Sequence, residues 1–129
     1  MKRPQTLPRP TEGELELLRI LWERGSATVR DIHDQISTRR PLGYTSVLKL
    51  LQIMTDKGLV EREESGKAHI YHPVASQNET QDQLLRDISA RLFAGSAAQL
   101  AMHALALEPV SDRDLEALRT LIDQKRNRP

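Results

Sequence analysis

The sequence predicts a mainly α-helical chain with one small β-hairpin. Three observations predict it. Apolar residues recur at helical spacing in three segments before residue 58, the period changes to strand–turn–strand over 59–74, and helical spacing then returns in three further segments. The 129 residues, 38% hydrophobic and 29% charged, suit one domain, or one compact domain plus a short appendage, with a core that needs no staples. The chain has no cysteine, which excludes disulfides, dithiol redox chemistry and thiolate metal sites.

Residues 1–10 hold three prolines and no apolar periodicity, and read as a flexible arm. Thr11-Glu12-Gly13-Glu14 has the form of a capping box, in which hydroxyl and carboxylate each accept from the other residue's backbone N–H. Leu15, Leu18, Leu21 and Trp22 follow at helical spacing, widened by Leu17 and Ile20, and Gly25 stops the helix. Thr28-Val29-Arg30-Asp31 repeats the cap, and Val29, Ile32 and Ile36 give a short second helix. Ser37–Gly43 is a loop. A third helix runs from Tyr44 to Lys57, with Val47, Leu50, Leu51 and Met54 on one side and Gly58 ending it. Leu59–Glu64 and His69–Val74 flank the turn Ser65-Gly66-Lys67-Ala68 as a hairpin, with Pro73 at a strand end.

After Ser76, Leu84, Ile88 and Leu92, with Leu85 beside them, form a stripe that Gly95 breaks. Ala97–Leu107 is a short Ala-rich helix, Pro109 interrupts, and Ser111-Asp112-Arg113-Asp114 caps a last helix with Leu115, Leu118 and Ile122 inward. Three helices followed by a hairpin is the winged helix-turn-helix order, here over residues 11–75. Residues 76–129 could fold back on the winged part or pair with another chain, and of the two a helical dimerisation domain is expected. Their stripes, including Leu100, Ala104 and Leu107, have no evident partner, and helices of this length are not stable alone in water.

Function is read from the third helix. At 100° per residue its side opposite Val47 holds Thr45, Lys49, Gln52 and Asp56, and the first three suit phosphates and base edges in a major groove. Arg39 and Arg40 precede this helix, Lys67 stands at the hairpin tip, and Lys2, Arg3 and Arg9 lie in the arm. Net charge is only +1, with 12 Lys/Arg against 10 Asp/Glu in residues 1–75 and 7 against 8 beyond, so a basic footprint must be local. One Trp, two Tyr and one Phe are too few for base-stacking platforms.

Other classes are excluded in turn. No apolar run approaches the roughly 20 residues of a membrane span, and the arm has no signal-peptide core, so a cytoplasmic protein is expected. His69 and His72 are three apart in a strand and point to opposite faces, while His33 and His103 belong to separate helices, so no metal is expected. Catalytic motifs are missing, and the chain is expected to be no enzyme and to use no cofactor or small-molecule substrate. The alternative to a DNA reader is a winged helix that binds only protein.

In combination these motifs resemble the penicillinase and methicillin-resistance repressors of the BlaI/MecI/CopY type. The first helix Thr11-Glu12-Gly13-Glu14-Leu15-Glu16-Leu17-Leu18-Arg19-Ile20-Leu21-Trp22 and the segment Thr28-Val29-Arg30-Asp31-Ile32 match that family. Tyr44-Thr45-Ser46-Val47-Leu48-Lys49-Leu50-Leu51-Gln52 resembles its "YTTVxTxLxRL" recognition helix. Lys57-Gly58-Leu59-Val60 and Gly66-Lys67-Ala68-His69-Ile70-Tyr71-His72-Pro73 resemble its "KGLVxR" and "GRAxxYxP" wing. The resemblance implies a homodimeric repressor on an inverted-repeat operator with TACA/TGTA-like half-sites, and adds Tyr44 and Ser46 to the DNA-binding residues. It also implies release by cleavage near His103-Ala104, downstream of a membrane sensor with a zinc-protease domain. The small residues Ala94, Ala97, Ala98 and Ala101 around Gly95-Ser96 support a joint there that opens readily. Three departures are visible. The lack of cysteine excludes the metal sensing of copper-responsive members, Gln52 and Leu48 stand where other members place Arg, and His103-Ala104 replaces an Asn-Phe pair.

Overall fold

The computed structural model describes residues 8–128. Helix α1 (Glu12–Arg24) starts at the expected capping box. The Thr11 hydroxyl accepts from the Glu14 N–H at 3.3 Å, and the Glu14 carboxylate accepts from the Thr11 N–H at 2.8 Å. Gly25 ends the helix at φ 89°. Helix α2 (Val29–Ile36) is capped in the same way by Thr28 and Asp31, at 3.1 and 3.2 Å. Helix α3 (Tyr44–Lys57) has the expected span. It closes through Gly58 at φ 85°, where the Gly58 and Leu59 N–H groups return to the carbonyls of the last turn. That left-handed residue is easy for glycine and strained for any side chain.

The sheet has a strand that sequence reasoning did not anticipate. Strand β1 (Ala27–Thr28) pairs with β3 (Ala68–Pro73), which also pairs with β2 (Val60–Ser65), giving the antiparallel order β1-β3-β2. Pairing of Ser65 with Ala68 leaves Gly66-Lys67 as a two-residue loop. Of these two, only Gly66 has positive φ (62°), the pattern of a type II′ turn. Strand β2 begins one residue later than expected, because the Leu59 N–H bonds the Met54 carbonyl of α3 instead of entering the ladder.

The core lies between these elements. Leu17, Leu18 and Leu21 meet Ile32 and Ile36, then Val47, Leu51 and Met54, with Val60 and Tyr71 closing the sheet side. Each such burial is worth about 1.5–3 kcal/mol. Trp22 is only partly buried, and its indole N–H donates to the Ala75 carbonyl at 2.9 Å, tying the end of α1 to the chain leaving β3. Helix α3 is therefore held from one side, which fixes the direction of the other.

The chain divides into two compact units after Leu85, inside α4 (Gln77–Leu92). The first half of α4 belongs with the winged part, where Thr80 is buried and Leu84 lines a small crevice with Leu18 and Leu59. The second unit holds the rest of α4, α5 (Ala97–Leu107) and α6 (Asp112–Arg126). Ser96 and Ser111 cap α5 and α6, each hydroxyl accepting a backbone N–H at 3.1 Å. Ala94 and Gly95, between α4 and α5, are both left-handed at φ 50° and 82°. No side chain of α5 or α6 is buried.

Candidate nucleic-acid interface

With Val47, Leu51 and Met54 buried, the outward arc of α3 presents Thr45, Ser46, Lys49 and Gln52. All four are exposed, and among the described residues none makes a side-chain hydrogen bond or ion pair. The N-terminus of α3 carries no side-chain cap at Gly43 and no acidic residue in its first turn, so its partial positive charge is uncovered. Tyr44 stands there in a T-shaped contact with the His33 ring of α2, centroids 5.9 Å apart, so the aromatic contact spans the helix-turn-helix.

The other end of α3 is closed off. Lys57 turns inward, its Nζ donating to Glu14 at 2.6 Å and to the Arg9 carbonyl at 3.2 Å. Glu14 is only 2% exposed. Burial alone would push its carboxyl up, but the Lys57 ammonium and the Thr11 N–H and hydroxyl outweigh that and hold it below its ordinary 4.5. Asp56 is exposed beside it.

The flanking cations are placed unequally. Arg39 is exposed and makes no side-chain bond among the described residues. Arg40 is held by Glu16 of α1, its Nη2 at 2.7 Å and Nε at 3.2 Å from one carboxylate oxygen. That partner lies 24 residues away, and no local pattern marks it. Lys67 stands at the wing tip with no side-chain partner among the described residues, above strands that carry Glu61, Glu63 and Glu64. His72 and His69 contact Glu63 at 2.7 Å and Glu64 at 3.7 Å, and the register puts the two histidines on opposite faces as expected. Lys2 and Arg3 lie outside the described residues. Among the described residues no three potential ligands come together to hold a metal.

A family model described as penicillinase repressor matches residues 10–124. The chain belongs to that family. It is 34% identical over 110 residues to the transcriptional regulator BlaI of Mycobacterium tuberculosis, covering 83% of this chain and 79% of that one. It is 18% identical over 115 residues to the methicillin resistance regulatory protein MecI of Staphylococcus aureus, covering 89% and 94%. Two solved structures share the fold. One is the DNA-binding domain of the repressor BlaI, with TM-score 0.52, 17% identity, and 59% of this chain and 93% of that one covered. The other is the monomeric form of Bacillus licheniformis BlaI in complex with the blaP half-operator, at 0.51, 18%, 57% and 90%.

Counted from Tyr44, the arginine of the penicillinase repressor helix pattern falls on Ile53 rather than Gln52. Ile53 is 42% exposed, and sequence reasoning passed over it. The signal was available, because Ile53 is four residues from Lys49 and lies on the same helix face.

The residues expected to join two copies of this penicillinase repressor family member fall into three groups. Leu84 is half-buried within the first unit. Leu100 and Leu118 are half-buried. Leu85, Ile88, Leu92, Ala104, Leu107, Leu115 and Ile122 are exposed, as are Met102, Leu105 and Leu121, which were not anticipated. The His103–Ala104 peptide lies inside α5, and the His103 ring packs 5.5 Å from that of Phe93.

Proposed function

We propose that this chain is a transcriptional repressor that binds an inverted-repeat DNA operator as a homodimer, and acts by binding rather than by catalysis. The outward arc of α3 carries the reading. Thr45, Ser46, Lys49 and Gln52 offer hydroxyl, ammonium and amide groups with no competing partner among the described residues. They follow an uncapped helix N-terminus, with Tyr44 and Arg39 beside them and Lys67 at the wing tip. Such groups serve base edges and phosphates together. A relative that is a transcriptional regulator, and a solved structure of the same fold in complex with a half-operator, support DNA as the partner.

Exposure in the second unit supports the dimer. Leu92 at the end of α4 and Leu107 at the end of α5 are each 73% exposed, and α5 buries no side chain of its own. A second copy would cover them and would join two half-site contacts, TACA/TGTA-like by family resemblance, into one stronger event. Release fits cleavage by a membrane sensor metalloprotease near His103-Ala104, with the left-handed Ala94-Gly95 joint close by. Among the described residues no helix is long and apolar enough to cross a membrane. A cytoplasmic location goes with the proposed DNA partner.

The test is a titration of the full chain against inverted-repeat, half-site and scrambled duplexes at several salt concentrations. The expected order is inverted repeat, then half-site, then scrambled. Lys67→Ala should weaken all three alike and flatten the salt slope by about one. Equal affinity for every duplex, or none, would make the chain a protein-binding winged helix instead.

A further inference from the structure

We propose that Ile53 is a specificity-determining residue that reads the 5-methyl group of thymine in the major groove. The inference rests on α3 being the reading helix. Among the described residues of the first unit, the exposed large hydrophobic side chains are Tyr44, Ile53 and Leu85. Leu85 ends that unit, and Tyr44 has the His33 ring against it. Ile53 has neither excuse. It is absent from the side chains packed on the core, and isoleucine is a poorer helix former than the leucines around it. Left in water, it forgoes most of the gain that burial would bring.

Its neighbours indicate what covers it. Ser46, Lys49 and Ile53 lie at i, i+3 and i+7, one stripe on the outward side of α3, with Gln52 alongside. From Lys49 to Ile53 the helix rises about 6 Å, close to two base steps. The major groove offers one apolar group, the thymine methyl, among its donors and acceptors. One turn further on is Asp56, whose carboxylate phosphates would repel, and Lys57 is turned inward to Glu14 at 2.6 Å. Groove contact along α3 therefore ends at about Ile53, and an apolar side chain at that limit meets methyls at the edge of the half-site.

The experiment uses the full chain and a duplex that it selects from a randomised pool. Each thymine is then replaced singly by deoxyuridine, which removes only the methyl, and affinities are measured by fluorescence anisotropy for wild type and Ile53→Ala. At one or more positions the wild type should lose about fourfold, as expected for one methyl-sized group. Ile53→Ala should bind thymine and uracil duplexes equally there. If the pool yields no preferred sequence, α3 is not a reader and both proposals fall. If it yields one, but every uracil effect is the same in both proteins, only the role of Ile53 falls. A change in molecular mass of Ile53→Ala by light scattering would equally overturn it, because the side chain would then cover a second copy.

Discussion

Replacing Lys57 by methionine should destabilise the winged unit by about 2–3 kcal/mol, and adding Glu14→Gln should restore most of that loss. The Glu14 carboxylate is 2% exposed and receives Lys57 Nζ at 2.6 Å and the Thr11 N–H at 2.8 Å. Removing one partner of a buried ion pair costs about 3–5 kcal/mol, since the other charge is stranded. The cost here is smaller because the Lys57 side chain is 32% exposed and the Thr11 N–H remains. Glutamine at residue 14 still closes the capping box but carries no charge, so the double variant strands nothing. The assay is urea unfolding followed by the single tryptophan, Trp22, whose indole bonds Ala75 within this unit. The pH dependence has a definite sign. Folded Glu14 holds its proton less tightly than its ordinary 4.5, so the pair's stabilisation is complete above that pH and is lost as pH falls through the folded value. The gap between wild type and Lys57→Met should therefore close in acid. Equal urea midpoints for the single and double variants at pH 7 would refute the account.

Glu16→Gln should release Arg40, now held at 2.7 Å, and tighten DNA binding up to about fivefold at moderate salt; unchanged affinity would mean that Arg40 does not exchange Glu16 for phosphate. Ile88→Asp, a charge placed in an exposed apolar stripe that a second copy would bury, should give monomers by light scattering. A wild type already monomeric at micromolar concentration would remove the basis for that expectation. A chain ending at His103 should keep the Trp22 unfolding transition but lose tight binding to the inverted repeat, and a fragment that still dimerises and binds like the full chain would exclude release by cleavage there.

Sequence reading found the features whose partners are close along the chain. The caps at Thr11, Thr28 and Ser111 each use a residue three positions on, and all three form. The ends of α3 are set by Gly43 and Gly58, and the two-residue turn by Gly66. What it missed depends on distant partners. Strand β1 is two residues long, too short for any period, and exists because Tyr71 and Ile70 of β3 lie opposite. The sequence marks Glu14 as a cap only, because its second role with Lys57 joins residues 43 apart. Ile53 is hidden for a different reason, because polar groups are what mark a DNA-facing arc in a sequence and its side chain is apolar.

These distant pairs bear on how a chain of net charge +1 can grip DNA. Glu14 and Glu16 occupy Lys57 and Arg40, which leaves Arg39, Lys49 and Lys67, among the described residues, as cations without a side-chain partner beside α3 and at the wing tip. Three phosphate contacts imply a salt slope of roughly −3 for one half-site. Two copies joined through the exposed stripes of α4, α5 and α6 would roughly double the slope and turn the second contact into an intramolecular one. Operator occupancy would then depend chiefly on the link between copies. Under the proposed arrangement the repressor would be best controlled at its second unit, where a cut or a loosened joint would abolish tight binding while every DNA-facing side chain stayed in place.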